Sequence, residues 1–197
     1  TAFGFSVTSG VMTNVSFDDD AEERDYAPKT DALMVSLERL SDNKRLSTSV
    51  SFSYLREDNG VLGTGGTGGL SFVDHTYSQG VTLGSSLRMT KNTRISASYT
   101  EAFSDADTSS NSLLALNSSN LSSSAFALGF QAKQILRADD TLSFSISQPL
   151  RIGGGSMSLT HDDYYDEDET LHSRTVDIDL RPNGRQMDYQ LEYVFSP

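Results

Sequence analysis

Apolar residues occupy every second position along much of this chain, and small or polar residues fill the positions between them. The alternation is clearest in the last third, over residues 142–147, 175–180 and 187–195. A period of two is the pattern of a β-strand with one apolar and one polar face, whereas an amphipathic helix repeats about every 3.6 residues. The last third is therefore predicted to consist of β-strands.

The same pattern predicts strands through the first two thirds of the chain. These segments are residues 3–17, 31–40, 46–54, 77–89, 95–99 and 126–136. Two of the assignments have alternatives. Residues 3–17 form either one long strand or two strands that break near Ser9 and Gly10. The leucines of residues 31–40 also fit a helical stripe, although the neighbouring strands favour a strand there.

Long and short connections alternate between the predicted strands, provided that Leu142 to Thr160 form one bent strand. The long connections lie near residues 18–30, 57–75, 104–124 and 161–172, and the short ones near residues 41–45, 90–93, 137–140 and 182–185. Outer-membrane barrels have long loops at one end and tight turns at the other, whereas a Greek-key sandwich shows no such regularity. Aromatic residues such as Tyr54, Tyr99 and Phe130 would form the interfacial girdles of such a barrel.

Three local motifs refine this prediction. Asn183-Gly184, which follows a proline, supplies the positive φ angles of a tight turn, so the last two strands are expected to form a hairpin. The glycines at residues 153–155 are expected to form either a hairpin or a β-bulge, and the parity of the apolar positions changes there as an inserted residue would cause. Residues 113–116 are expected to form a short helix or a plug-like contact within a long loop.

Composition narrows the classes of function. The chain of 197 residues has 36% hydrophobic residues, a net charge of −12 and no cysteine. No apolar stretch is long enough for a transmembrane helix, but the strands of a membrane barrel need only alternate. The negative charge argues against binding to nucleic acid. The lack of cysteine excludes disulfides and thiolate metal sites.

An acidic segment, residues 161–172, has the highest density of oxygen ligands suited to a metal ion. Four of its carboxylates are candidate Ca²⁺ ligands, namely Asp162, Asp163, Asp166 and Asp168. The segment lacks the central glycine of an EF-hand loop, so a solvated acidic loop is the simpler interpretation. A second acidic run, residues 18–23, has the same two interpretations. No other cofactor is expected.

Few features of the sequence indicate catalysis. The histidines are His75, His161 and His172, all in predicted loops, and no serine motif of a catalytic triad accompanies them. The glycine-rich residues 63–69 lack the lysine and the following helix of a phosphate-binding loop. Paired carboxylates for glycoside hydrolysis are not indicated. We therefore expect that this chain is not itself an enzyme.

Two runs in the last third resemble segments of a known family. The first is Ser147-Gln148-Pro149-Leu150-Arg151-Ile152, which continues into the glycine-rich residues 153–159. The second is Asp179-Leu180-Arg181-Pro182-Asn183-Gly184-Arg185, which continues to Tyr193. Both are similar, in order and spacing, to segments near the C-terminus of secreted subtilisin-like serine proteases. The resemblance implies a β-rich domain behind a protease, formed as an autotransporter-like barrel in the bacterial outer membrane. The protease itself is not in this chain.

Together, the patterns and the resemblance predict one all-β domain over residues 1–197, either whole or part of a larger precursor. We expect an antiparallel up-and-down meander, as an outer-membrane-type β-barrel or a barrel-derived sheet, with a soluble β-sandwich as the alternative. The expected role is to anchor or translocate a subtilisin-like protease passenger at the bacterial outer membrane, with lipid and the passenger as partners. The alternative role is a soluble extracellular module that self-associates through its sheet edges or binds a surface partner.

Overall fold

The structure is a computed structural model that describes eight stretches of the chain. They are residues 5–13, 29–58, 60–61, 64–65, 73–107, 114–116, 121–165 and 171–195. Every regular element in these stretches is a β-strand, so they contain no helix that could cross a membrane. The strands are β1 Phe5–Thr13, β2 Lys29–Leu40, β3 Leu46–Asp58, β4 Gly60–Val61, β5 Thr64–Gly65, β6 His75–Arg88, β7 Thr93–Asp107, β8 Leu114–Leu116, β9 Leu121–Lys133, β10 Thr141–Gly154, β11 Ser156–Tyr165, β12 Leu171–Asp179 and β13 Asp188–Val194.

Eight of the strands form one antiparallel sheet in the order β1-β2-β3-β6-β7-β9-β10-β13. Each strand lies beside the sheet strand that precedes it along the chain, so the sheet is an up-and-down meander. The pairings are long: β3 pairs with both of its neighbours over Ser47–Asp58. Tight turns at residues 41–45 and 89–92 lie at one end of the sheet, which we call the turn end, and the opposite end is the loop end. The all-β, antiparallel, up-and-down prediction is confirmed.

The sheet is open rather than closed into a barrel. Among the described residues, β1 pairs only with β2 and β13 pairs only with β10. Two smaller ladders accompany it, one in the order β12-β11-β8 and one formed by β4 and β5. The described residues therefore agree with a barrel-derived sheet or with the soluble β alternative, and not with a closed barrel. Both edge strands have backbone groups available for a further strand.

The last four strands form one long hairpin that is interrupted in its middle. β10 pairs with β13 up to Ser147 and Asp188, and β11 pairs with β12 from Ser156 and Asp179 onwards. The two sides of the interruption contain the same number of residues, so both ladders keep the same register. The Leu180 N–H still donates to the Gly155 carbonyl at 3.0 Å. Between that bond and the β10–β13 ladder, residues 148–154 and 181–187 separate from each other, a region that we call the hairpin gap.

The predicted hairpin turn at residues 182–185 is wrong. β12 and β13 do not pair with each other, and the segment between them runs along one side of the hairpin gap. Gly155 is the only described glycine with a positive φ, at 141°, so Asn183-Gly184 does not form the predicted turn. The reason is competition between partners: β10 and β11 offer β12 and β13 a longer antiparallel ladder than those two strands could offer each other.

Other boundaries were predicted with mixed success. Residues 31–40 belong to strand β2, so the helical alternative is wrong. Leu114–Leu116 is strand β8, which pairs with β11, so the helix expected at residues 113–116 is wrong. The predicted long connections at 104–124 and 161–172 overlap strands at both of their ends, because polar residues continue the pairing there. Register shifts between Gln148 and Gly154 agree with the predicted bulge.

Some predictions fall partly or wholly outside the described residues. β1 runs without a break through Ser9 and Gly10, which favours one strand over two, but residues 14–17 lie outside the described part. The acidic run at residues 18–23 also lies outside it. Of the glycine-rich residues 63–69, only Thr64–Gly65 is described, as strand β5.

The turn between β9 and β10 is organised around Asp140, which is almost fully buried. Its carboxylate accepts hydrogen bonds from the backbone N–H groups of Ile135, Leu136 and Arg137 at 2.7 to 2.9 Å, and from the Tyr193 hydroxyl at 2.9 Å. Burial alone would raise the pKa of Asp140, but these donors outweigh it and lower the pKa from 3.8 to about 2. The ionised carboxylate thereby joins the turn to the edge strand β13.

Candidate functional site

One face of the main sheet carries nearly all of its large apolar side chains, and we call it the apolar face. The cross-strand register aligns these side chains in rows. One row consists of Val7, Leu37, Val50, Leu83, Tyr99 and Phe126. A second row, nearer the turn end, consists of Leu46, Leu87, Ile95, Phe130, Phe144 and Leu191. The sequence alternation is thus converted into a continuous apolar surface.

The apolar face is exposed across its whole width. Val50 and Leu83, in the middle of the sheet, are 49% and 53% exposed, and Val7 and Leu191, on the edge strands, are 67% and 72% exposed. The buried apolar side chains of the described residues are few, namely Val73, Ala102, Leu121 and Ala132. Covering apolar surface stabilises a protein by about 25 cal/mol per Å². A contiguous exposed surface of this kind marks an interaction site.

The height of the apolar face can be compared with the apolar band of outer-membrane barrels. In β3 the face extends from Leu46 to Tyr54, which is about 26 Å of strand at about 3.3 Å per residue. A strand tilt of about 40° would reduce this to about 20 Å, compared with about 25 Å for the apolar band of outer-membrane barrels. At that tilt the apolar face would be about 5 Å shorter than such a band.

Charged and aromatic residues border the apolar face at the loop end. Arg56 and Asp58 form an ion pair with 3.5 Å between Nη2 and Oδ1, and Nδ1 of His75 lies 2.9 Å from the same Oδ1 atom. Tyr54 and Tyr77 stack beside this group, with ring centroids 6.5 Å apart. Aromatic rings next to charged side chains are typical of the boundary between apolar and aqueous surroundings.

A second aromatic group lies at the turn end. The rings of Tyr193 and Phe195 are 5.9 Å apart, and the Arg137 guanidinium lies 5.5 Å from the centroid of the Phe195 ring. Phe52 and Tyr99 lie between the two borders. Only some of the aromatic residues that the sequence suggested for interfacial girdles therefore lie at an edge of the apolar face.

The opposite face of the sheet is built from small residues, and we call it the hydroxyl face. Hydroxyl groups form hydrogen-bonded pairs across neighbouring strands: Ser36 with Ser51 at 2.7 Å, Ser78 with Ser104 at 2.7 Å and Thr82 with Thr100 at 2.8 Å. Glycines fit against serines, because a Cβ on Gly80 or Gly84 would lie closer than 3.0 Å to a serine Oγ. Several hydroxyl groups of this face thus bond to each other within the sheet, although the buried Thr76 and Ser123 hydroxyls have no described partner.

The candidate calcium ligands are not brought together by any described contact. Asp162 and Asp163 lie in β11, but their side chains are outside the described part, and Asp166 and Asp168 are outside it altogether. Within the described stretches, no group of three His, Cys, Asp or Glu side chains is placed to hold a metal ion. The calcium site stays a prediction.

His75 lies in the main sheet, whereas His161 and His172 lie in the β11–β12 ladder. His75 contacts Asp58 at the loop-end border, whereas His161 is exposed in β11, where it pairs across the ladder with Arg174. The side chain of His172 lies outside the described part. The expectation that the chain is not an enzyme stays a prediction.

The two runs that resemble protease-associated segments face each other across the hairpin gap. Gln148 and Arg151 lie on one side and Pro182 and Gly184 on the other, around a cavity of about 650 Å³. The Arg151 side chain crosses the gap, because its Nη2 donates to Pro182 O at 2.8 Å and its Nε donates to Gly184 O at 3.3 Å. Sequence reasoning missed this meeting, since an arginine bound to main-chain carbonyls leaves no local signature.

Comparison with known proteins finds no matching family model, no matching curated protein and no matching solved structure.

Proposed function

We propose that this chain is a membrane-embedded β-domain whose apolar face contacts lipid and whose hydroxyl face borders a polar interior. The observation that supports this most is the exposed, continuous apolar face, combined with an opposite face of small residues that carries hydrogen-bonded hydroxyl pairs. A soluble sheet has the reverse arrangement, because it buries its large apolar side chains and exposes polar ones. Membrane barrels place apolar residues outward and polar residues inward.

The specific role we propose is to anchor or export a subtilisin-like protease passenger at the bacterial outer membrane, without catalysis by this chain. Support comes from the resemblance of the two runs that line the hairpin gap to segments of such proteases. The separation of tight turns and long connections to opposite ends of the sheet also favours it, because outer-membrane barrels have this asymmetry.

Contact with lipid can be tested by tryptophan fluorescence, since the chain has no tryptophan of its own. Val7 and Thr8 are neighbours in β1 whose side chains point to opposite faces, and both are exposed. The full chain carrying Val7→Trp or Thr8→Trp would be refolded into phosphatidylcholine vesicles with brominated acyl chains. We expect strong quenching for Val7→Trp and weak quenching for Thr8→Trp. Equal quenching in the two variants, or recovery of the chain without vesicles, would contradict the proposal.

The export role needs a separate test in cells. An epitope-tagged reporter would be fused before residue 1 behind a bacterial export signal. We expect the reporter in the outer-membrane fraction and accessible to added protease on intact cells. A reporter that stays soluble and protected in the periplasm would sink the export role, even where the quenching experiment shows lipid contact.

The two open edges of the sheet favour a second candidate, a soluble module that associates by strand addition. β1 and β13 each have one unpaired side among the described residues, and such edges accept further strands. This candidate predicts a defined oligomer without detergent in size-exclusion chromatography. A detergent-dependent monomer favours the membrane proposal instead.

A further inference from the structure

Three arginines form a row across the turn end of the hydroxyl face, and we call them the arginine row. Arg88 of β6 and Arg94 of β7 lie directly opposite each other in the register. The backbone N–H of Arg88 donates to the carbonyl of Arg45 at 2.7 Å, which places Arg45 on the other side of Arg88. Since neighbouring strands are about 4.8 Å apart, the three residues lie within about 10 Å of one another along the row.

No carboxylate forms an ion pair with the arginine row within the part of the chain that the structure describes. None of the three guanidinium groups forms a hydrogen bond or an ion pair there. Like charges placed directly opposite each other destabilise a sheet. The chain has 27 acidic residues against 15 basic ones, so a row of unpaired cations is unusual for its composition.

The arginine row lines a concave site of about 530 Å³, a volume in the range of small-molecule sites. Hydroxyl groups and one further cation complete the lining, from Lys44, Ser47, Ser49 and Ser86. Glu38 is the one carboxylate among the lining residues, and it accepts a hydrogen bond from the Ser47 hydroxyl. Four cations and one anion therefore surround the cavity, together with hydroxyl donors.

We propose that this cavity binds a phosphate group. Arginine forks match the paired oxygens of phosphate, and several guanidinium groups can bind one phosphate through charge-assisted hydrogen bonds. A single carboxylate offers two oxygens and one charge, which is a poorer match for three arginines and a lysine. The phosphate belongs either to a small soluble molecule or to a lipid headgroup. The proposal does not depend on what covers the apolar face.

The test uses the full chain in a maltoside detergent, which contains no phosphate, and calorimetric titration with inorganic phosphate at low ionic strength. We expect saturable binding that weakens about tenfold or more in the Arg88→Gln/Arg94→Gln variant, because charge-assisted hydrogen bonds are lost. Glu38→Gln should tighten binding several-fold, since it removes the opposing charge. Arg174→Gln, an exposed arginine in β12, is the matched control and should change binding less than twofold.

Further ligands identify the source of the phosphate and keep the proposal open to contradiction. Dioctanoyl phosphatidic acid that binds more tightly than inorganic phosphate, in a manner dependent on Arg88 and Arg94, assigns the site to a lipid headgroup. Preference for inorganic phosphate assigns it to a soluble ligand. Acetate should bind more weakly than either. The proposal is overturned if no phosphate compound binds saturably, if the double variant binds as well as the wild type with an unchanged circular dichroism spectrum, or if acetate binds equally.

Discussion

The two faces of the main sheet differ in how far their side chains find partners within the sheet. On the hydroxyl face, Ser78 and Ser104 are buried and bond to each other, so the polar groups need little from outside the sheet. On the apolar face, Leu83 is about half exposed although it sits in the middle of eight strands. The hydroxyl pairs are therefore satisfied within the sheet, whereas the large apolar side chains are left largely uncovered by the described residues. That contrast, rather than any single residue, is the basis of the proposed contact with lipid.

The largest effect should come from a charge at the centre of the apolar face. In vesicles, Leu83→Arg should destabilise the folded chain by about 2 to 4 kcal/mol, because arginine is costly at the midplane of a bilayer. Met89→Arg, just beyond β6 at the turn end, is the control and should cost about 0 to 1 kcal/mol. Urea unfolding from vesicles measures both. Equal costs for the two variants would remove the distinction between the centre and the border of the apolar face.

A smaller loss is expected from crowding the hydroxyl face. Gly84→Val would place a Cβ against the Ser49 side chain, and overpacking of this kind costs about 1 to 3 kcal/mol. Gly10→Val is the matched control on the same face, since nothing lies within 4 Å of its Cβ position. Chemical denaturation measures both variants. The added change Ser49→Gly should restore part of the loss, and a failure to do so would argue against close strand contact.

Because of the turn at Asp140, the stability of the folded chain should depend on pH in the acid range. Its pKa is lowered in the folded chain to about 2, so its contribution is complete above the unfolded value near 3.8 and is lost as the pH falls through about 2. Asp140→Asn should lower the melting temperature by roughly 5 °C at neutral pH. The difference in melting temperature between the variant and the wild type should decrease as the pH is lowered from about 4 to 2.

Asp139→Asn, at the neighbouring exposed position, is the control for that experiment. It should leave the melting temperature within about 1 °C of the wild type. If the difference in melting temperature between Asp140→Asn and wild type stays constant with pH, the hydrogen bonds do not stabilise the ionised form of the Asp140 carboxylate in the folded chain.

The smallest effect should come from one hydroxyl pair. Thr82→Val or Thr100→Val alone leaves an unpaired hydroxyl and should cost about 1 kcal/mol, whereas the double variant should cost less than the two single costs added together. A double-mutant cycle by chemical denaturation measures the coupling. Additive costs would mean that the two hydroxyl groups do not depend on each other.

The sheet itself could be predicted because its information is local. Alternation within residues 46–54 or 77–89 defines a strand without reference to any partner. Turn prediction succeeded at residues 137–140 and failed at residues 182–185 for the same reason. The first turn is stabilised by Asp140, which bonds to residues only a few positions away. The second turn depended on which distant strand β13 pairs with, and the local sequence Asn183-Gly184 does not determine that partner.

The candidate sites were harder to predict from the sequence, because their residues are far apart along the chain. Arg45 lies in the turn before β3, Arg88 in β6 and Arg94 in β7, and they become neighbours only through the register of the sheet. Likewise, Arg151 meets the carbonyls of Pro182 and Gly184 only because a long hairpin is interrupted. Clusters along the chain, such as the carboxylates from Asp162 to Asp168, are easier to notice.

The meander also has a consequence for how the molecule assembles. Each strand of the main sheet docks on the one synthesised before it, so no strand has to be inserted between two that are already paired. Hydrogen bonds between successive turns, such as Lys133 N–H to the Asn92 carbonyl at 2.8 Å, then fasten each newly added hairpin to the previous one. The sheet can thus form by the addition of one hairpin at a time to a single edge strand.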